Sequence, residues 1–177
     1  MIASVSGWGK RAIWLGAICV LSACVVPPPE PASFRTQSAP IGITTRFDSD
    51  RMSGDWFVRG ALPGDETVQA VNFITLDALP TMVVSTNEGN GLRKTVWRGR
   101  ERQSGRYVFR PDEGTASRDL VVIWVDQGFR TAAIGDPAGR FAWVLDRAPT
   151  GGADRITAAR KVLEFSGFDL SKMVTRP

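Results

Sequence analysis

Beyond residue 54 the chain alternates apolar and polar side chains in short runs. That two-residue period sets one face of a strand on a core and the other in water. The runs predict eight strands, over residues 55–62, 67–76, 80–86, 93–100, 106–110, 119–125, 129–134 and 141–147. Turn-forming stretches separate them, among them Pro63-Gly64-Asp65, Asp77-Ala78, Asn87-Glu88-Gly89-Asn90-Gly91, Ser104-Gly105 and Gln127-Gly128. Short strands at hairpin spacing argue for an antiparallel sandwich or barrel. Eight strands suffice to close a sheet around one small ligand, although the count alone does not separate a closed sheet from an open one.

The period changes once. Over residues 153–166, Ile156, Ala159 and Leu163 recur on one helical face with Val162 beside them, Asp154 is the expected N-cap and Gly167 the expected stop. The runs 120–125 and 131–134 are apolar on both alternating faces, as strands covered on both sides are. The helix is therefore expected to pack outside the last three strands.

The N-terminus follows another logic. Lys10 and Arg11 precede an uncharged, mostly apolar run, 12–20, and then Leu21-Ser22-Ala23-Cys24. A basic head, a short apolar stretch and a small-residue cut site describe a signal peptide, too short to span a membrane as a helix. Leu-Ser-Ala-Cys resembles the lipobox of bacterial lipoproteins, which implies cleavage before Cys24, acylation of its thiol and anchoring to a membrane. Val25 in place of Asp after that Cys fits export to the outer membrane under the rule of enteric bacteria. Residues 25–45 carry five prolines and no apolar period, and are expected to form a semi-extended tether reaching roughly 60 Å at most. The organisation is thus a signal peptide (1–23), a lipidated tether (24–45) and one barrel domain (46–177).

Composition narrows the chemistry. Cleavage removes Lys10 and Arg11, lowering the formal charge from +4 to +2, so a basic isoelectric point is weak support for any polyanion and no nucleic-acid partner is expected. Cleavage also removes Cys19 and leaves Cys24 alone, so no internal disulfide can form. The chain has no His, which excludes imidazole catalysis and His metal ligation. Asp65-Glu66, Asp112-Glu113 and Asp119 fall at turns or strand ends without a catalytic pairing. No metal, cofactor or enzymatic activity is expected.

Gly54-Asp55-Trp56, opening the first strand after Phe47-Asp48, and Arg147, closing the eighth within Trp143-Val-Leu-Asp-Arg-Ala-Pro149, make the chain resemble the lipocalins, and over its last 60 or so residues the bacterial outer-membrane members. The resemblance implies an eight-stranded antiparallel up-and-down barrel, all-β apart from one C-terminal helix outside it. It implies that Arg147 lies across Trp56 at the barrel base. It also implies a small apolar or amphipathic ligand, a fatty acid such as palmitate or a lysophospholipid, held for storage or transfer by a monomer or weak dimer. The first strand departs from the family in having Phe57-Val58 where a Tyr-Glu pair is common.

Ligand-facing candidates are Val58, Leu62, Phe73, Trp97, Tyr107, Phe109, Trp124 and Phe141, with Val84; a register shift of one residue would turn any of them outward. Arg93, Lys94, Arg98, Arg100, Arg102, Arg106 and Arg110 crowd the middle strands. They fit a solvated strand face, a headgroup site at the barrel mouth, or contact with anionic lipid. The alternative to a ligand carrier is a barrel that binds or inhibits a secreted protein such as a protease.

Overall fold

The computed structural model describes residues 32–176; the expected signal peptide, Cys24 and residues 25–31 of the expected tether lie outside them. Eight strands form a closed antiparallel barrel: β1 (Gly54–Ala61), β2 (Val68–Leu76), β3 (Leu79–Asn87), β4 (Leu92–Gln103), β5 (Arg106–Pro111), β6 (Arg118–Val125), β7 (Thr131–Gly135) and β8 (Ala142–Asp146). Each strand pairs with the next, and β1 closes the ring by pairing with both β2 and β8. A short ninth strand, β9 (Val174–Thr175), pairs with Gly60 and Ala61, beyond the point where β2 leaves β1.

Two helices frame the barrel. The one-turn α1 (Ser49–Met52) is capped by Asp48, whose carboxylate accepts from the amides of Asp50 and Arg51. The longer α2 (Ala153–Phe165) lies outside β6, β7 and β8, as its apolar stripe requires, and buries Ile156, Ala159 and Leu163 there. Its start differs from the expectation. Gly152, in the left-handed region, is the N-cap, and Asp154 sits inside the first turn, where its charge favours the helix dipole. Its end follows Gly167: that residue, at φ +89°, lets its own amide reach Glu164 O and that of Phe168 reach Leu163 O, the Schellman arrangement. Phe168 then presses its ring on Gly135, where a Cβ would sit 2.7 Å from it.

The barrel separates two apolar layers. The inner one includes Trp56, Val58, Val71, Met82, Phe109, Ile134, Trp143 and Leu145. The outer one, under α2, contains Leu62, Val121, Ile123, Ala133 and Val144 with the helix stripe. Part of the Pro-rich stretch also belongs to the folded body. The Phe34 amide donates to Gly139 O, that of Thr36 to Gly167 O and that of Thr44 to Val122 O. Arg35 is buried, and its guanidinium donates to the carbonyls of Ser166, Pro137 and Ala39. Residues 33–44 therefore strap the barrel to the end of α2, although the sequence pattern assigns them to the tether.

Candidate functional site: the barrel cavity and its two ends

Three arginines organise the barrel interior and its ends. At the end where β1 begins, the Arg147 guanidinium lies 3.8 Å from the centroid of the Trp56 ring. Its Nη1 donates to Asp55 O at 2.8 Å, and Nη2 to Arg51 O at 2.7 Å and Ser53 O at 2.8 Å. The Trp56 indole N–H donates to Met52 O at 2.8 Å, so α1 is fastened to the base through both residues. Gly54 permits this approach: it has φ +95°, and a Cβ there would stand 3.2 Å from Arg147 Nη1. Beside it, the Arg51 guanidinium lies 4.0 Å from the ring centroid of Phe129.

At the opposite end, carrying the β1–β2, β5–β6 and β7–β8 loops, Arg118 and Asp65 form a two-pronged ion pair with both N···O distances 2.6 Å. Trp143 adds an indole N–H bond to Asp65 at 2.8 Å. The Arg118 guanidinium stands 4.9–5.2 Å from the rings of Phe141, Trp143 and Trp97. This end is plugged by a charge pair set among aromatic rings. Sequence reasoning placed Asp65 at a turn without a partner; no local signal joins it to a residue 53 positions away.

The cavity, of about 220 Å³, lies at the Trp56 end, between α1, the β2–β3 turn and β4–β6. Its apolar lining comes from Phe47, Met52, Phe73, Phe109, Leu120 and Val122. Tyr107, Thr81, Asp50 and Glu101 supply polar groups, and the Tyr107 hydroxyl donates to Glu101 Oε1 at 3.3 Å. Burial pushes the Tyr107 phenol well above its ordinary range and the Glu101 carboxylate pushes it further, so it stays a protonated donor. Ala78 borders the cavity from the β2–β3 turn, where it and Asp77 hold φ of 62° and 52°, the mirror-image turn usual for two-residue hairpins.

Of the ligand candidates read from sequence, Phe73, Tyr107 and Phe109 line this cavity. Val58 and Val84 are packed in the inner core; Trp97 and Phe141 face a depression of about 240 Å³ at the plugged end. Leu62 and Trp124 require correction, since both belong to the outer layer. The cause is a pair of bulges. β1 skips a residue between Val58 and Gly60, and β6 between Val122 and Trp124, which inverts the side-chain parity beyond each. Arg59, extruded by the first bulge, reaches outward to the carbonyls of Ala148 and Gly151. Missed as cavity-lining residues were Met52, because a one-turn helix has no period to detect, Phe47, which precedes that helix outside any periodic run, and Glu101, masked among arginines.

The basic stretch is partly neutralised. Arg93 pairs with Glu88, Arg98 with Asp77 and Asp112, and Arg106 with Asp119 at 2.6 Å. None of its members lines the cavity. Among the described residues no cluster of three or more Cys, Asp or Glu side chains suits a metal, and no helix is long and apolar enough to cross a membrane.

No protein-family model matches the chain, and no curated protein matches it in sequence. Solved structures do match in shape. Insecticyanin from the tobacco hornworm Manduca sexta superposes with a TM-score of 0.60 at 15% identity, over 82% of this chain and 86% of that one. Apocrustacyanin C1 gives 0.57 at 10% identity, over 77% and 88%. Both are lipocalins, and at these identities the likeness is one of fold.

Proposed function

We propose that this chain, built on the lipocalin fold, is a lipid-anchored carrier of the bacterial envelope that takes one small apolar or amphipathic molecule into its barrel. The observation that carries the reading is the cavity at the Trp56 end, lined by Phe47, Met52, Phe73 and Phe109. Apolar burial supplies the affinity, at about 25 cal/mol per Å² removed from water. The volume limits the ligand. Pockets that enclose drug-sized molecules run to about 300–1,000 Å³, so 220 Å³ holds part of a fatty acid or lysophospholipid chain, or the whole of something smaller. The anchor rests on the lipobox at Cys24, and the outer membrane on Val25. Storage or transfer at the membrane follows from a carrier tethered there.

Native mass spectrometry of the chain, released from membranes in mild detergent, tests the reading. A retained small molecule at one copy per chain is the expected result. A bare barrel from every preparation, together with capture of a secreted protease, would instead favour the inhibitor reading. Cys24→Ser should move the protein into the soluble fraction; a variant that stays on the membrane through a high-salt wash would overturn the anchor.

A further inference from the structure

The cavity has an electrostatic sign. The charged side chains that line it are Asp50 and Glu101, and no Lys or Arg is among the lining residues. Among the described residues Asp50 has no ion-pair partner, and Glu101 has only the Tyr107 hydroxyl. That hydroxyl stays protonated, so it brings no negative charge of its own and no positive one to offset the carboxylates. An anionic headgroup entering here would face two like charges with nothing to pair it. A cation would meet charge-assisted acceptors at an exposed lip and apolar walls behind them.

The depression of about 240 Å³ at the opposite end is bordered by Asp65 and Asp136, but these are paired with Arg118 and Arg140, so it offers a cation no free carboxylate. Entry therefore falls to the end bordered by α1 and the β2–β3 turn, whose lip includes the exposed Thr75. Resting on the carrier reading above, we propose that this cavity takes a compact amphiphile bearing a protonated amine, its ammonium at the Asp50 and Glu101 lip and its apolar body against Met52, Phe73 and Phe109. A free fatty acid, the ligand implied by the family resemblance, is the disfavoured charge type here.

The test uses calorimetric titration of the full chain carrying Cys24→Ser with octylamine, octanol and octanoate, which share an apolar body and differ in headgroup charge. Primary amines stay protonated at neutral pH, as lysine does. Octylamine should bind about tenfold more tightly than octanoate at low salt, a ratio set by close charges at a partly wet site, with octanol between them. Glu101→Gln keeps an acceptor for Tyr107 while removing one charge, and should narrow the ratio several-fold; Asp50→Asn should do the same. Thr75→Trp, at an exposed position on the lip, should weaken all three probes together. Equal binding of octylamine and octanoate would overturn the charge preference and leave the carrier reading standing. Binding that ignores Thr75→Trp would move the site elsewhere in the barrel and overturn the inference alone. If none of the probes binds, both the inference and the carrier reading fall.

Discussion

The plug of Asp65 and Arg118 sets the terms on which the loop end stays shut, and its removal has a calculable cost. The Asp65 side chain is 7% exposed and that of Arg118 21%, so each carries charge through a mostly dry environment. Such a pair is worth little net against an apolar replacement, but removing one member strands the other. Asp65→Ala deletes two charge-assisted bonds and the acceptor of the Trp143 indole, leaving Arg118 half-enclosed by rings. The usual range for breaking a buried pair is about 3–5 kcal/mol; Arg118 can turn partly to solvent, which puts the expectation near the lower bound. Arg118→Met keeps a long apolar stem against Trp97, Phe141 and Trp143 and strands Asp65 with one donor, at about 2–3 kcal/mol. The double variant Asp65→Ala/Arg118→Met leaves no charge behind and should be more stable than the sum of the two single losses implies by at least ~1.5 kcal/mol. Urea unfolding followed by Trp fluorescence measures all of these, and the Asp65 variants should also shift native emission to the red as water reaches Trp143. Additive losses, or single losses below about 1 kcal/mol, would mean that the pair does not act as a plug.

Other perturbations test the base, the turns and acid stability. Trp56→Ala should cost about 3–5 kcal/mol as a large buried aromatic and Arg147→Ala about 1–3, with a positive coupling between them in a double-mutant cycle; strict additivity would refute the stacking. Asp126 organises the β6–β7 turn: burial pushes its carboxyl up, but bonds from the amides of Thr131, Arg130 and Gly128 and from the Arg130 guanidinium outweigh that and hold it below the ordinary carboxylate range. A depressed folded value gives stability that is present above the unfolded value near ~3.9 and lost as pH falls through the folded one, so Asp126→Asn should flatten the acid limb of the stability curve, and an unchanged limb would refute the role. Ala78→Gly should stabilise the chain by about 0.5–1 kcal/mol, since Ala at φ 62° in the β2–β3 turn bears a left-handed penalty that Gly escapes; a lower melting temperature would count against it.

How much of this was legible in the sequence depended on range. The eight strands and the helix over the last three follow from local period, which the chain carries in runs of several residues, whereas the closeness of Trp56 to Arg147 was legible only through the resemblance to the lipocalins. Strand limits failed where a side chain rather than a turn residue ends the strand. The seventh strand was expected from residue 129 but begins at Thr131, because Asp126 collects the amides of 128, 130 and 131 and holds Phe129 at φ 55°. The inward list failed past each bulge for a related reason. Gly60 inside the first strand is the one local mark of a bulge and Val-Ile-Trp carries none, yet each bulge exchanges the two faces of everything after it. Contacts across the barrel, such as Asp65 with Arg118, have no sequence signature at all.

The two ends of the barrel are built differently, and strand length sets where the Trp56-end cavity lies. Toward the loops, Trp97, Phe141 and Trp143 stand on strands β4 and β8 and the approach to β8, with the Arg118 guanidinium 4.9–5.2 Å from their rings. Toward the base, β4 and β5 place Gly99 against Phe109, with a hypothetical Cβ only 2.5 Å from that ring, while Leu120, Val122 and Thr81 are smaller than the rings at the other end. The strand segments there also run past the reach of β1, because β4 extends to Gln103 and β2 to Leu76, and α1 with Phe47 covers the gap they leave. Space therefore survives where long strands run on past β1 beneath a one-turn cover. Enlarging a wall residue at that end, as in Leu120→Trp, should fill the cavity and abolish probe binding while leaving the plug untouched. The same enlargement of Val84, packed in the inner core but not lining the cavity, should lower stability instead, by about 1–3 kcal/mol of overpacking. Equal effects from both substitutions on binding would mean that the interior is one continuous chamber, and the assignment of the two ends to different roles would fail.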